Sequence, residues 1–279
     1  MASHSSFAGS PANNSSILKG KHAVVFGAGG SIGAAVAKEF AAEGAEVFLA
    51  GRSKSSVAAV IEQITKSGGS AHTHVVDALD EVAVNAYVDS VVKQAGRIDI
   101  LFNAVGPLAA EYGSGKHAVD LPVNEFMVPL TTIVKTHFIT SRAAARHMLK
   151  QHSGVIIFLT GSPARGHVQG ATAIGTAFGG IESLTENLAV ELSPAGVRVV
   201  CLRTTANMDS RTIQQTMEML ASKMNVTKEQ MMATMANLNF LKVPASTSDT
   251  AKVAAFLASD RARLMTGTVV NSTAGAALD

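Results

Sequence analysis

Between an apolar run, Ala23-Val-Val-Phe26, and a helical pattern with Ile32, Val36 and Phe40 on one face, the chain carries Gly27-Ala-Gly-Gly-Ser-Ile-Gly33. Glycines at such a junction let the backbone turn tightly and approach a bulky anion. The helix that opens there presents main-chain N–H groups and the positive end of its dipole. The chemistry this predicts is capture of a pyrophosphate, lined by Gly27, Gly29, Ser31, Ile32 and Gly33. A second apolar run, Glu46-Val-Phe-Leu-Ala50, ends at Gly51-Arg52-Ser53-Lys54. An acidic side chain there would accept a hydrogen bond from a ribose 2′-hydroxyl. A guanidinium instead offers a fork of donors suited to a 2′-phosphate. Arg52, with Ser53 beside it, therefore favours NADP(H) over NAD(H).

Positioning these residues takes an alternation of strands and helices. After the second strand, Val57, Val60, Ile61 and Ile64 recur at helical spacing. His74-Val-Val76 reads as a third strand, followed by a helix over 81–94, and Ile98-Asp-Ile-Leu-Phe102 as a fourth. A long helix is expected from about Asn124 to Lys150, then a strand over 155–159 and a helix ending near Leu192. Strands over 197–202 and 267–271 complete the set. Continuous apolar strands alternating with helices predict an α/β protein, a doubly wound parallel seven-stranded sheet with helices on both faces, the Rossmann fold. Ligands of such a sheet sit at the carboxyl ends of its strands, where the strand order reverses. Residues 209–240 break the alternation and read as a helical insert. One domain is expected over 18–279, preceded by a polar, flexible tail over 1–17.

Composition narrows the function. The chain has 279 residues, 47% hydrophobic and 16% charged, enough to bury one sizeable core. A formal net charge of +2 with no basic run argues against a nucleic-acid partner. No apolar stretch is long enough to predict a membrane span, and the start lacks the pattern of a secretory signal. The single cysteine, Cys201, sits in the apolar run 197–202 and reads as a small buried residue. It can form neither an internal disulfide nor a thiolate cluster, so no metal is expected and a reducing, cytoplasmic setting is.

The glycine turn resembles the Gly-x-x-x-Gly-x-Gly segment of the short-chain dehydrogenase/reductase superfamily, with Gly27 and Gly33 at its first and last glycines and Ser31 in place of the middle one. Asp77 after the third strand resembles that superfamily's adenine-contacting aspartate, with Ala78 beside it. Asn103-Ala104-Val-Gly106 resembles its Asn-Asn-Ala-Gly turn. Ile98-Asp-Ile-Leu-Phe102, Leu192-Ser-Pro-Ala-Gly-Val-Arg-Val199, Phe256-Leu-Ala-Ser-Asp260 and Met265-Thr-Gly267 match as well. The resemblance spans about residue 18 to the end. It implies a nicotinamide cofactor contacted also by Asn103, Ala104 and Thr204, and assembly into a homodimer or homotetramer through the helices after the fourth and fifth strands.

In that superfamily a serine ends the fifth strand, and a tyrosine and lysine follow on one helix face. The lysine lowers the tyrosine pKa, and the tyrosine exchanges a proton with the substrate oxygen. Counting back from Glu191-Leu192 and forward from Leu159-Thr160 places Gly161 at the serine, Ile174 at the tyrosine and Phe178 at the lysine. The associated asparagine falls at about Ile133. No shift of alignment repairs this: the chain's tyrosines are Tyr87 and Tyr112, and no lysine occurs between Lys150 and Lys223. Substitute proton donors are few. Thr160 and Ser162 flank the serine position, and His167 has a suitable pKa on the loop Pro163-Ala-Arg-Gly-His167. Tyr112-Gly-Ser-Gly-Lys116 has the Tyr-x-x-x-Lys spacing, but its glycines argue for a loop.

The insert carries Met208, Met217, Met219, Met224, Met231, Met232 and Met235. These side chains either pack a helix pair or cover an irregular apolar ligand as a substrate lid. A small hydrophobic substrate is expected. Three functions follow: an NADP(H)-dependent oxidoreductase with a non-standard active site acting on a hydrophobic carbonyl, enone or imine; a non-redox isomerase, cyclase or lyase on the same fold; or a catalytically silent nucleotide-binding pseudoenzyme.

Overall fold

The computed structural model describes residues 16–166 and 168–279. Seven strands, β1 (His22–Phe26), β2 (Glu46–Gly51), β3 (Ser70–Val75), β4 (Ile100–Asn103), β5 (Gly154–Gly161), β6 (Val197–Thr204) and β7 (Thr268–Ser272), form one sheet. Their order is β3-β2-β1-β4-β5-β6-β7 and every pairing is parallel. This is the doubly wound α/β sheet that the alternation of apolar runs predicts. Side chains alternate across it. Val24, Phe26, Ile156 and Phe158 face a core formed with α3 (Glu81–Ala95), α5 (Lys135–Gln151) and α6 (Thr172–Leu192). Ala23, Val25, Val155 and Ile157 face a second core formed with α1 (Ser31–Ala42), α2 (Lys54–Lys66) and α9 (Thr247–Ala258). Burial on both faces is why the strands are apolar throughout rather than alternating.

Three boundaries differ from the sequence reading. Strand β3 begins at Ser70, earlier than the apolar residues His74-Val-Val76. It is an edge strand and mostly exposed, so it needs no apolar run. The long helix after β4 is interrupted. Helix α4 (Val123–Pro129) passes through a π turn at Leu130–Val134 before α5, at the point where Pro129 removes a helical N–H. Of the tail expected over 1–17, residues 1–15 lie outside the described residues. Ile17 belongs to the domain: its N–H donates to Glu43 Oε2 at 3.0 Å and its side chain packs on the second core.

The insert consists of α7 (Arg211–Met224) and α8 (Lys228–Asn237). Met217 and Met231 join Ala221 in a small core of their own with Met232 and Met235 packed on it, so these four pack the helix pair, whereas Met224 is exposed. Among the described residues no helix is long and apolar enough to cross a membrane.

The π turn also shelters a titratable group. His137 is fully buried on α5. Its Nδ1 lies 2.8 Å from the Ile133 carbonyl and its ring meets Phe158 edge-on, with centroids 5.2 Å apart. Burial pushes its pKa down to about 4. The unfolded chain therefore binds a proton near pH 6.5 that the folded chain refuses until about pH 4. Stability should fall as pH drops through that window, by up to about 3 kcal/mol from this residue. Urea midpoints measured from about pH 7.5 to about pH 4.5 should show a steeper acid loss in the wild type than in His137→Phe; equal slopes would refute it.

Candidate functional site

The chain runs outward from β1 to β3 and then returns to β4, so the strand order reverses between β1 and β4. The register pairs Phe26 with Asn103, which brings the turns after both strands to one crevice. Gly27 has φ +74°, and a Cβ there would lie 2.8 Å from the Ala104 carbonyl carbon. A Cβ on Gly33 would lie 2.8 Å from the Gly27 carbonyl carbon and closer still to its oxygen. Only glycine lets these three stretches of backbone meet. Helix α1 opens on this turn with Gly30 at its N-cap and no side-chain cap, which leaves its first-turn N–H groups facing the crevice. Gly29 approaches Ser56 on α2. Ile32 packs against the second core, so only its backbone can meet a ligand. Ser31 Oγ accepts the Arg211 backbone N–H at 3.0 Å, a contact that nothing in the sequence announces.

Around the crevice the other residues sort by what their side chains already do. Arg52 follows β2, is exposed, and has no ion pair among the described residues. Ser53 caps α2 by accepting the Ser56 N–H. Asp77 accepts the Leu79 N–H through Oδ1 at 3.0 Å and is otherwise open, while Ala78 is buried. Asn103 is buried. Its amide donates to Thr140 Oγ1 at 2.9 Å and its carbonyl accepts the Val105 N–H at 2.8 Å, so it holds the turn in shape rather than offering its side chain. Thr204 is buried too, its hydroxyl 2.9 Å from that of Thr250.

At the end of β5, a Cβ added to Gly161 would lie 3.0 Å from Phe178 Cε2 and 3.4 Å from Pro163 Cδ. The phenyl ring thus occupies the space beside the strand terminus, and Ile174 is buried one turn earlier on α6. Thr160 meets α6 one turn further on, at Glu182. It is buried, 3.4 Å from Glu182 Oε1 and 3.3 Å from Cys201 Sγ. Burial pushes the Cys201 thiol up to about 12, which leaves it inert. Ser162 makes no side-chain hydrogen bond among the described residues and is half-buried beside Gly161. His167 lies outside the described residues. Tyr112 ends a 3-10 turn. It is buried, bonded to Ser114, and its pKa is raised by burial. Lys116 is held instead by Glu125, at 2.7 and 2.8 Å from its carboxylate oxygens. The spacing Tyr112–Lys116 therefore builds no pair.

A profile described as enoyl-(acyl carrier protein) reductase matches residues 27–277. The chain belongs to the short-chain dehydrogenase/reductase superfamily. It is 32% identical over 266 residues to the uncharacterized oxidoreductase YxbG of Bacillus subtilis (strain 168), covering 92% of this chain and 91% of that one. Among solved structures it resembles NAD⁺-bound xylitol dehydrogenase, with TM-score 0.84 and 28% identity over 91% of this chain and 98% of the other. An actinorhodin polyketide ketoreductase with NADPH superposes with TM-score 0.85 over 92% and 97% of the two chains, at 20% identity. The superfamily's oxidoreductases bind nicotinamide cofactors, and these two structures carry one of each kind.

Behind the site of this superfamily member lies a network that the sequence reading missed. Arg203 on β6 and Glu182 on α6 form a bidentate pair at 2.7 and 2.9 Å, with side chains 1% and 4% exposed. Arg203 also meets Asp279, and Arg165 reaches Glu182 at 3.4 Å. The available signal was a charge inside the apolar run of β6. A separate cleft of about 350 Å³ opens at the amino ends of the strands, lined by Lys21, Arg97, Arg198 and Arg263 among others. Three of those cations are taken, by Asp260, by Asp99 and by the carbonyls of Leu257, Ser259 and Met265. That cleft is far from the crevice and reads as a structural seam.

Proposed function

We propose that this protein binds NADP(H) in the crevice between β1 and β4 and acts as an oxidoreductase on a hydrophobic carbonyl, enone or imine by a proton route without the superfamily's tyrosine and lysine. The observation that carries the reading is the crevice mouth. Backbone meets backbone at Gly27, Gly33 and Ala104 with no room for a side chain, and beside it stands Arg52, a guanidinium with no ion pair among the described residues. That cradle fits a dinucleotide. The open N–H groups of the α1 first turn would take the pyrophosphate, Arg52 and Ser53 the 2′-phosphate, and Asp77 the adenine.

Bound there, the cofactor supplies or accepts hydride. The chain's own residues then have to place the substrate and manage a proton. Gly161, Ile174 and Phe178 offer only apolar surface where the superfamily has serine, tyrosine and lysine, which favours an apolar substrate and excludes water from its face. Ser162 has the free hydroxyl nearest Gly161 and can orient a substrate oxygen or nitrogen. A positioned general acid contributes roughly 10²–10⁴-fold, so a substrate that already stabilises negative charge can react without one. The α7–α8 pair, packed on its methionines, would cover that substrate, and the protein would work as a soluble homo-oligomer.

A second reading has its own support. The Phe178 ring against Gly161 removes the groups that reduction of a simple ketone requires, which favours a non-redox enzyme or a silent subunit. Titration of purified protein with NADPH, NADH and NADP⁺, followed by nicotinamide fluorescence, tests the first reading. NADPH should bind at least about 10-fold more tightly than NADH, and Arg52→Ala should erase most of that ratio while leaving NADH unchanged. No dinucleotide binding at roughly millimolar concentration would sink the cofactor assignment. Stoichiometric NADPH consumption in a screen of enones, imines and ketones separates the redox reading from the second.

A further inference from the structure

We propose that Arg211 is a ligand of the dinucleotide's pyrophosphate, held in place by a latch between Ser31 and the first turn of α7; this rests on the cofactor reading above. The latch is the hydrogen bond from the Arg211 backbone N–H to Ser31 Oγ at 3.0 Å, which joins residues 180 positions apart. Ser31 stands where the superfamily's turn has a glycine, and a glycine could not make this bond.

The latch brings the Arg211 backbone to the glycine turn itself, which leaves the turn within reach of its long side chain. That side chain is exposed and has no acceptor among the described residues, whereas Arg97, Arg142, Arg198 and Arg203 each have one. Its place does not depend on the outer part of the insert. Asp209 accepts the Thr247 N–H and hydroxyl at 2.8 and 2.7 Å, the Met208 N–H donates to the Ala245 carbonyl at 2.8 Å, and Ser210 caps α7 through the Ile213 N–H. The root of α7 is therefore fixed against α9.

The electrostatics call for an anion at this point. Ser31 is the first residue of α1 and Arg211 the first of α7, so the positive ends of two helices meet at one hydrogen bond, and the residue that makes it carries a guanidinium. No carboxylate among the described residues is paired with the Arg211 guanidinium. A pyrophosphate in the glycine cradle would take charge-assisted hydrogen bonds from the guanidinium.

The test uses the full chain with Arg211→Ala and Arg211→Lys, titrated with NADPH, NADH and, by displacement of NADPH, 2′-AMP, which carries the 2′-phosphate but no pyrophosphate. Arg211→Ala should weaken NADPH and NADH by the same factor, about 10-fold or more, and leave 2′-AMP unchanged. Arg211→Lys should recover part of the loss. Arg52→Ala should do the reverse, weakening NADPH and 2′-AMP but not NADH. The Arg211 side chain makes no hydrogen bond among the described residues, so the melting temperature of the free protein should not move. Wild-type affinity for NADPH in Arg211→Ala, or an equal loss for 2′-AMP, overturns the proposal. A wild type that binds no dinucleotide overturns the cofactor reading and this proposal together, so the two failures are distinct.

Discussion

Arg203→Met should lower the stability of the fold by about 3–5 kcal/mol, and adding Glu182→Leu to it should restore most of that loss. The reason is the asymmetry of buried charge. With both partners present, the guanidinium and carboxylate satisfy each other through two bonds at 2.7 and 2.9 Å in a place almost without solvent. Methionine fills the space but leaves Glu182 facing Thr160, Cys201 and an apolar helix face. The Thr160 hydroxyl at 3.4 Å and the exposed Arg165 at 3.4 Å are poor substitutes for that fork. A desolvated carboxylate without a partner costs several kcal/mol, whereas two apolar residues of similar volume cost little or nothing. Urea unfolding of the wild type, both single variants and the double variant gives the answer. Single variants within about 1 kcal/mol of wild type, or a double variant worse than either, would show that the pair is not buried as described.

That pair also marks the limit of what the sequence discloses. Arg203 is conspicuous as a charge inside the apolar run of β6, but its partner depends on which face of α6 meets the sheet. Glu182 looks like a surface residue until α6 is docked. The same holds for Ser31 and Arg211, whose meeting is decided by how the chain returns from β6 across the glycine turn. Features carried by local rules were legible: the glycine turn between β1 and α1, the strands buried on both faces, the charge that ends β2. Edge strand β3 was only half legible, because a strand left mostly exposed at the sheet edge lacks the apolar pattern that reveals a central strand. The π turn follows from Pro129, whose missing N–H leaves no trace in a helical periodicity of apolar residues. Asn103 and Thr204 show the remaining gap. Superfamily resemblance points to both, yet their side chains are spent on Thr140 and Thr250, and only the backbone beside them is left for a ligand.

The glycine turn gives the second large effect. Inside a helix, glycine to alanine normally stabilises by about 1 kcal/mol, since alanine has less backbone entropy to lose. Gly33 lies in the first turn of α1, and there the sign should reverse. Its added Cβ would meet the carbonyl group of Gly27, the carbon at 2.8 Å and the oxygen nearer still. Both neighbours are backbone, so no rotamer relieves the contact and the turn itself has to open. Opening moves the N–H groups that line the crevice, and with them the close approach of Gly27 to Ala104. Gly33→Ala should therefore lose about 1–3 kcal/mol of stability, as overpacked sites do, and should weaken NADPH by about 100-fold or more. Gly179→Ala on α6 is the matched control. Nothing lies within 4 Å of its added Cβ, so that variant should gain up to about 1 kcal/mol and bind NADPH as the wild type does. Thermal denaturation and the fluorescence titration on both variants decide it. If Gly33→Ala binds NADPH like the wild type, the turn is not where the pyrophosphate sits. If it is merely less stable, with affinity intact, the glycine serves the packing of α1 against β1 and the ligand lies elsewhere in the crevice.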